Sequence, residues 1–247
     1  MTQPFQSILG IKFFTGELPE LLALCPGHFV VVPSAPTLVE LPHDPAYREA
    51  VEKSDFAITD SGFMVLLWKV LTGQSLTRIS GLKLLRGLLA GEELKLPGSS
   101  LWVMPSAAEM ETNLAWFRQN GFPMVAEDCY LAPQYPKGPL SDADLLRRIE
   151  ERKPRYVILN IGGGVQERLG YALRNQLSYR PAIICVGAAI AFITGGQASI
   201  PGWADASMLG WLLRCFQAPG KFIPRYVKAL RLVFVLARYR ERSVTSS

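Results

Sequence analysis

Apolar and polar positions fall along the chain in blocks of two kinds. Short apolar runs occur at HFVVVPS (28–34), DFAITD (55–60), SLWVMPS (100–106), FPMVAEDCY (122–130), RYVILNIGGG (155–164) and PAIICVGAAIAF (181–192). Their length and their Pro, Gly and Asp boundaries predict strands. Between them, apolar residues recur at spacings of three and four. That spacing predicts helices over 44–54, 63–73, 79–93, 107–121, 141–154 and 165–177. Gly73 and Gly121 stand where two of these helices should stop. Ser141 is placed to cap another, with an Asp following in its first turn.

Strands separated by helices of this length imply an α/β fold. The expectation is a Rossmann-like, mostly parallel sheet with helices on both faces. Ligands of such sheets sit beyond the carboxyl ends of the strands. Three strand ends carry unusual residues: Pro33-Ser34, Asp60-Ser61 and the glycines 162–164. No internal repeat or low-complexity linker interrupts the pattern.

The pattern changes after residue 205. Apolar positions run Leu209, Leu212, Leu213 and Phe216, then resume after Pro219-Gly220 at Phe222, Ile223, Tyr226, Val227, Leu230, Val233 and Phe234. Lys221, Arg225, Lys228 and Arg231 recur among them at spacings of three and four. A helix would then put apolar and basic groups on different faces. The expected organisation is a sheet domain over 1–205 and a basic amphipathic helical appendage over 206–247. Charge sharpens this division. The chain carries +5 overall, yet from Ala206 onward eight basic residues face the single acid Glu241. Such a segment suits an anionic membrane surface. A solvated surface helix is the plainer reading of a charge run, but this much Leu, Val and Phe must cover the domain, another subunit or lipid.

Composition narrows the function classes. Hydrophobic residues make up 49% and charged residues 19%, which supports a large core and argues against disorder. Cys25, Cys129, Cys185 and Cys215 form no CxxC pair, and His28 and His43 form no HExxH. No disulfide framework, zinc site or other metal site is expected. The opening MTQPFQSILGIKFF lacks a charged segment followed by an apolar one, so no signal peptide is expected. The uncharged run 181–204 is broken by Gly and Pro and reads as strand and turn, not a span.

Candidate chemistry gathers at the strand ends. Asp60 directly precedes a helix, where an acid usually serves as a cap; at a ligand edge it can also act as a general base. The run NIGGGVQERLG would let backbone N–H groups approach a phosphate, or form a tight strand–helix turn. It spells neither GxGxxG nor a P-loop, which counts against a dinucleotide oxidoreductase. Gln166 and Glu167, in the first turn, are dipole partners or groups that reach a ligand. The only DxD, Asp142-Ala143-Asp144, opens a helix and reads as dipole partners. No motif or aromatic–basic array points to nucleic acid, so no nucleic-acid partner is expected.

In their order, these features resemble the WecG/TagA/CpsF glycosyltransferases, also called glycosyltransferase family 26, over residues 28 to 231. FVVVPSAPTLVEL is followed by a helix and a strand ending in ITDSG, then by Arg78-x-x-Gly81. The family's Gly-x-Pro-x-Gln-Glu turn appears as Gly162-Gly163-Gly164-Val165-Gln166-Glu167, and its Gly-Gly-Ala-Phe-Asp-Phe strand as Gly187 to Phe192. Pro201-x-Trp203, Leu209-x-Trp211-x-x-Arg214, Pro219 and Arg225-Tyr226 close the series. The chain departs from the pattern at Ser61 (usually Gly), at Ser34 (within a Thr-x-Asn), at Gly164 (Pro) and at Ala191 (Asp). Gly210 stands where Glu is usual, and Met104-Pro105-Ser106 replaces glycines. It resembles a divergent member, and the identity of donor and acceptor does not carry over.

The resemblance implies an inverting, metal-independent enzyme with no cofactor. It would move a hexose or N-acetylhexosamine from a UDP-sugar to a polyprenyl-diphosphate-linked glycan, in exopolysaccharide, capsule or wall-polymer synthesis. Asp60 is then the catalytic base. Ser34, Ser61, Arg78, Gly81, Gly162, Gly164, Gln166, Arg214, Arg225 and Tyr226 bind substrates, with the arginines facing the leaving diphosphate. The expected location is the cytoplasmic side of the bacterial inner membrane, held peripherally by the tail, with self-association as the tail's other use. The alternative is a catalytically impaired relative that binds a glycan lipid or a partner enzyme.

Overall fold

The computed structural model describes residues 4–196, 220, 224 and 227–244. Eight strands form one sheet. They are β1 (Phe5–Ile8), β2 (Ile11–Phe14), β3 (Phe29–Val31), β4 (Phe56–Ile58), β5 (Ser100–Met104), β6 (Cys129–Leu131), β7 (Tyr156–Leu159) and β8 (Ala182–Cys185). Their order is β1-β2-β4-β3-β8-β7-β5-β6. Only β1 with β2 is antiparallel; every other pair is parallel. The α/β architecture read from the sequence is therefore the one observed.

The parallel strands are apolar on both faces because each face is covered. Val31, Ala57, Val103, Leu159 and Cys185 point into one core, and Val30, Ile58, Trp102, Ile158 and Ile184 into the other. The first face is covered by α2 (Ala35–Leu38), α3 (Pro45–Glu52), α4 (Gly62–Thr72), α7 (Ala143–Arg152) and α8 (Val165–Gln176). The second carries α1 (Leu18–Leu24), α5 (Gly81–Ala90), α6 (Ala107–Gln119) and α9 (Ala189–Thr194). Neighbouring strands β3 and β8 thus send the chain to opposite faces, through α2 and α9. That divergence opens a crevice over their carboxyl ends.

Local chemistry adds one element to those expected from the sequence and corrects three. The β1–β2 hairpin has no sequence signature, because its turn is Leu9-Gly10 and lacks the usual Asn-Gly or Asp-Gly signal. Both residues adopt positive φ, 55° and 77°, and complete burial of Leu9 compensates. FPMVAEDCY is not one strand: Pro123 cannot donate to a ladder, and Asp128 accepts from Val125 N (3.0 Å) to form a turn, so only Cys129–Leu131 is extended. The run 181–192 breaks at Gly187 (φ 57°), and its second half is α9. The cap of α7 is Asp142, not Ser141. Its carboxylate accepts from Leu145 N and from the Tyr130 and Tyr135 hydroxyls.

The end of the chain is built into the sheet domain. Helix α10 (Leu232–Tyr239) packs on α4 and α2. Leu232, Leu236 and Val244 are fully buried in the first core. Beyond the helix, Leu9 and Gly10 donate backbone hydrogen bonds to Arg240 and Glu241, and Lys228 pairs with Glu40 at 2.8 Å. The outward residues Val227, Leu230 and Phe234 are 60%, 56% and 76% exposed. Arg231 and Arg238 are exposed at the same helical spacing. Apolar and basic groups therefore share the outer face, contrary to the expected segregation, because Leu232 and Leu236 already occupy the inner one. Leu236→Ala should cost about 2–5 kcal/mol, read as a lowered denaturant midpoint at unchanged slope.

Candidate functional site

The site forms where β3, β4, β7 and β8 end together. Val31 is level with Ala57, and Leu159 with Cys185, so the turns after all four strands meet at one edge of the sheet.

Asp60 follows β4 but does not cap α4. Ser61 does that, accepting from Met64 N at 3.2 Å. Asp60 reaches instead to a later segment: its Oδ1 accepts from Gly81 N at 2.9 Å, at the start of α5. Arg78 Nε donates to the Asp60 carbonyl at 3.0 Å, and the buried Thr59 hydroxyl donates to the Thr77 carbonyl. The Arg-x-x-Gly step is thus stitched onto the strand end. A Cβ at residue 81 would lie 3.1 Å from Val32 Cγ1, which crowds that position in favour of glycine. Asp60 is half-buried. One oxygen fixes the carboxylate, and the other, Oδ2, accepts no hydrogen bond among the described residues.

The opposite wall is the glycine turn. Gly162 and Gly163 are exposed, and Gly164 adopts φ 88°. A Cβ on Gly163 would touch Thr37 Cγ2 at 3.0 Å, so this turn lies against the start of α2. There Ser34 caps, donating its N–H to Thr37 Oγ1 at 3.0 Å. Three consecutive polar residues in the first turn of α8 are buried: Gln166, Glu167 and Arg168. Glu167 accepts from Gly164 N at 2.6 Å and from Gln166 Nε2 at 3.0 Å. Arg168 Nε donates to the Gly164 carbonyl at 2.9 Å. Gln166 Oε1 accepts from Gly187 N at 2.8 Å, in the turn after β8.

Burial pushes Glu167 up to about 6, against the opposing hydrogen bonds from Gln166 and Gly164 and the charge of Arg168. A carboxyl raised on folding contributes stability below its unfolded value. That contribution is lost as pH rises through about 6. Burial also raises the neighbouring Cys185 thiol and Tyr47 phenol, both further raised by the Glu167 charge.

The structure therefore brings Ser34, Asp60, Ser61, Arg78, Gly81, Gly162, Gly164 and Gln166 to one edge. Arg214, Arg225 and Tyr226 lie outside the described residues. Glu167 and Gly187 join the site as well; the sequence marks Glu167 as a dipole partner or ligand-reaching group and Gly187 as the start of a family motif, but gives neither a role. A Glu in a helix's first turn is common, and Gly187 stands inside an expected strand. Asp142, the first acid of the DxD, is a helix cap. No group of three or more His, Cys, Asp or Glu able to hold a metal ion occurs among the described residues. A cavity of about 470 Å³ lies elsewhere, between the end of α4 and Tyr239–Arg242. It sits at the opposite end of α4 from Asp60 and is not part of this edge.

A family model described as "Glycosyl transferase WecG/TagA/CpsF family" matches residues 6–245. No curated protein matches the chain.

Proposed function

The chain belongs to the WecG/TagA/CpsF glycosyltransferase family, and from that premise we propose that it transfers a hexose or N-acetylhexosamine from a UDP-sugar to a polyprenyl-diphosphate-linked glycan with inversion. The observation that carries this reading is the Asp60 carboxylate. It is anchored at Oδ1 by Gly81 N at the carboxyl edge of the sheet, and among the described residues Oδ2 accepts no hydrogen bond.

The acceptor hydroxyl gives its proton to Asp60 Oδ2 as its oxygen attacks the anomeric carbon. The bond to the donor's β-phosphate oxygen breaks, and UDP leaves with the electron pair. Arg78, Arg214 and Arg225 offset the charge that develops on the diphosphate. Arg78 is held near the reaction by its bond to the Asp60 carbonyl. Gln166 and the turn of Gly162 and Gly164 form the donor seat, with Gln166 acting through the Gly187 turn that it holds. Ser34, Ser61 and Gly81 shape the remaining wall, and Tyr226 is assigned to substrate binding by the family pattern alone. The step requires neither metal nor cofactor.

The sheet domain, 1–205, would carry the chemistry and the appendage, 206–247, the membrane contact. The exposed Val227, Leu230 and Phe234 with Arg231 and Arg238 suit the cytoplasmic face of a bacterial inner membrane, where such acceptors are used. Among the described residues no helix is long and apolar enough to cross a membrane, so contact there would be peripheral. In the absence of lipid, the same outer face would take a second copy of the chain.

The test is UDP release from a panel of UDP-hexoses and UDP-N-acetylhexosamines, with a polyprenyl-diphosphate-linked sugar presented in anionic vesicles. One donor should turn over at a rate unchanged within about twofold by EDTA. Loss of activity in EDTA would remove the metal-independent step, and no release from any donor would favour the impaired-relative reading.

A further inference from the structure

We infer that Glu167 is a positioning residue that locks the Gly164 and Gly187 turns into a single unit. Calling those turns the donor seat rests on the function proposed above; the lock itself does not.

The argument is one of donors and acceptors. Glu167 is fully buried. As a carboxylate it offers only acceptors, and both its partners are donors: Gly164 N at 2.6 Å and Gln166 Nε2 at 3.0 Å. Gln166 is thereby turned so that its carbonyl, not its amide nitrogen, meets Gly187 N at 2.8 Å. Both glycines hold positive φ, so neither turn is set by ordinary backbone preference alone. An ordinary helix cap would end at Gly164. Here the polarity continues one residue further, to a turn on the neighbouring strand.

Among the described residues, three groups face Glu167 besides its hydrogen-bond partners. Arg168 holds the Gly164 carbonyl from the same helix. Cys185 comes from β8, donating its thiol to the Gln166 carbonyl at 3.4 Å. Tyr47 comes from α3, and its buried hydroxyl makes no hydrogen bond among the described residues. Cys185 and Tyr47 are both raised in pKa, so neither titrates near neutrality. That leaves Glu167 as the member of this cluster able to change charge near pH 6.

Replacing Glu167 by Gln leaves one acceptor for two donors. A mismatch must fall at Gly164, between the two side chains, or at Gly187. The double variant Q166E/E167Q restores every pairing in reversed order. The amide introduced at position 167 would accept from Gly164 N and donate to the carboxylate introduced at position 166. The second oxygen of that carboxylate would accept from Gly187 N.

The experiment follows the backbone amide resonances of Gly164 and Gly187 from pH 5 to 8, with UDP affinity measured on the same samples. In the native protein both glycines should titrate with one midpoint near 6. In E167Q both titrations should vanish and UDP affinity should fall about tenfold. In Q166E/E167Q the pH-dependent Gly187 resonance should return. Titration of Gly164 without Gly187 would overturn the inference; linked titration with UDP affinity in E167Q equal to native would instead reject the donor seat and leave the lock standing. If E167Q does not fold, the double variant decides alone: a Gly187 resonance that stays pH-independent overturns the lock. Linked titration in a native protein that does not bind UDP would instead reject the donor reading and leave the lock standing.

Discussion

Asp60→Asn should cut turnover by about 10²–10⁴-fold while leaving the fold intact, the range that general-base help supplies. The substitution is informative because the two carboxylate oxygens do different work. Oδ1 accepts from Gly81 N at 2.9 Å, and the Asn carbonyl can accept the same bond. The start of α5 and the attachment of residues 77–81 should therefore survive, and the melting temperature should stay close to native. The Asn amide cannot take a proton where Oδ2 stood. Loss should appear in kcat at saturating donor, with little change in KM for UDP-sugar. Turnover within about threefold of native would remove Asp60 from the chemistry.

The second large effect concerns the outward residues on and just before α10. Leu230→Glu with Phe234→Glu should lower partitioning onto anionic vesicles by at least about 100-fold, since burying each side chain is worth roughly 1.5–3 kcal/mol. Both residues are more than half exposed, at 56% and 76%, so thermal stability should be unchanged. Deleting the appendage would be a poorer test. It would remove Leu232, Leu236 and Val244 from the core, along with the backbone bonds to Leu9 and Gly10. Binding of the double variant should no longer fall with salt as the native does, because Arg231 and Arg238 act only near the surface. Undiminished vesicle binding would place the membrane contact elsewhere.

Much of this fold is legible in the sequence because its strands are buried on both sides. HFVVVPS, DFAITD, SLWVMPS and RYVILNIGGG each combine an apolar run with a residue that ends it, and they correspond to β3, β4, β5 and β7. Asp60, Arg78 and Gly81 can be grouped only through the resemblance, since local sequence does not show that Gly81 N turns back to Asp60. The structure supplies that link. Other features depend on tertiary contact. Leu9 tolerates a positive φ because its side chain is fully buried. Gly187 divides an apolar run that has no other break. Local sequence leaves Glu167 either a dipole partner or a ligand-reaching group; its link through Gln166 to Gly187 shows only in the structure. In the tail, the pattern identifies an amphipathic helix but not its inner face, because the inward Leu232 and Leu236 lie among equally apolar outward neighbours.

The central claim is inverting transfer to a lipid-linked acceptor, and the anomeric configuration of the product tests it most directly. A polyprenyl-diphosphate-linked sugar in anionic vesicles would be incubated with the UDP-α-sugar that turns over, and the new linkage assigned by one-bond carbon–proton couplings. The expected product is β-linked to the lipid-linked sugar, formed by the native protein and reduced by the stated factor in Asp60→Asn. An α-linked product would contradict the single-displacement role of Asp60.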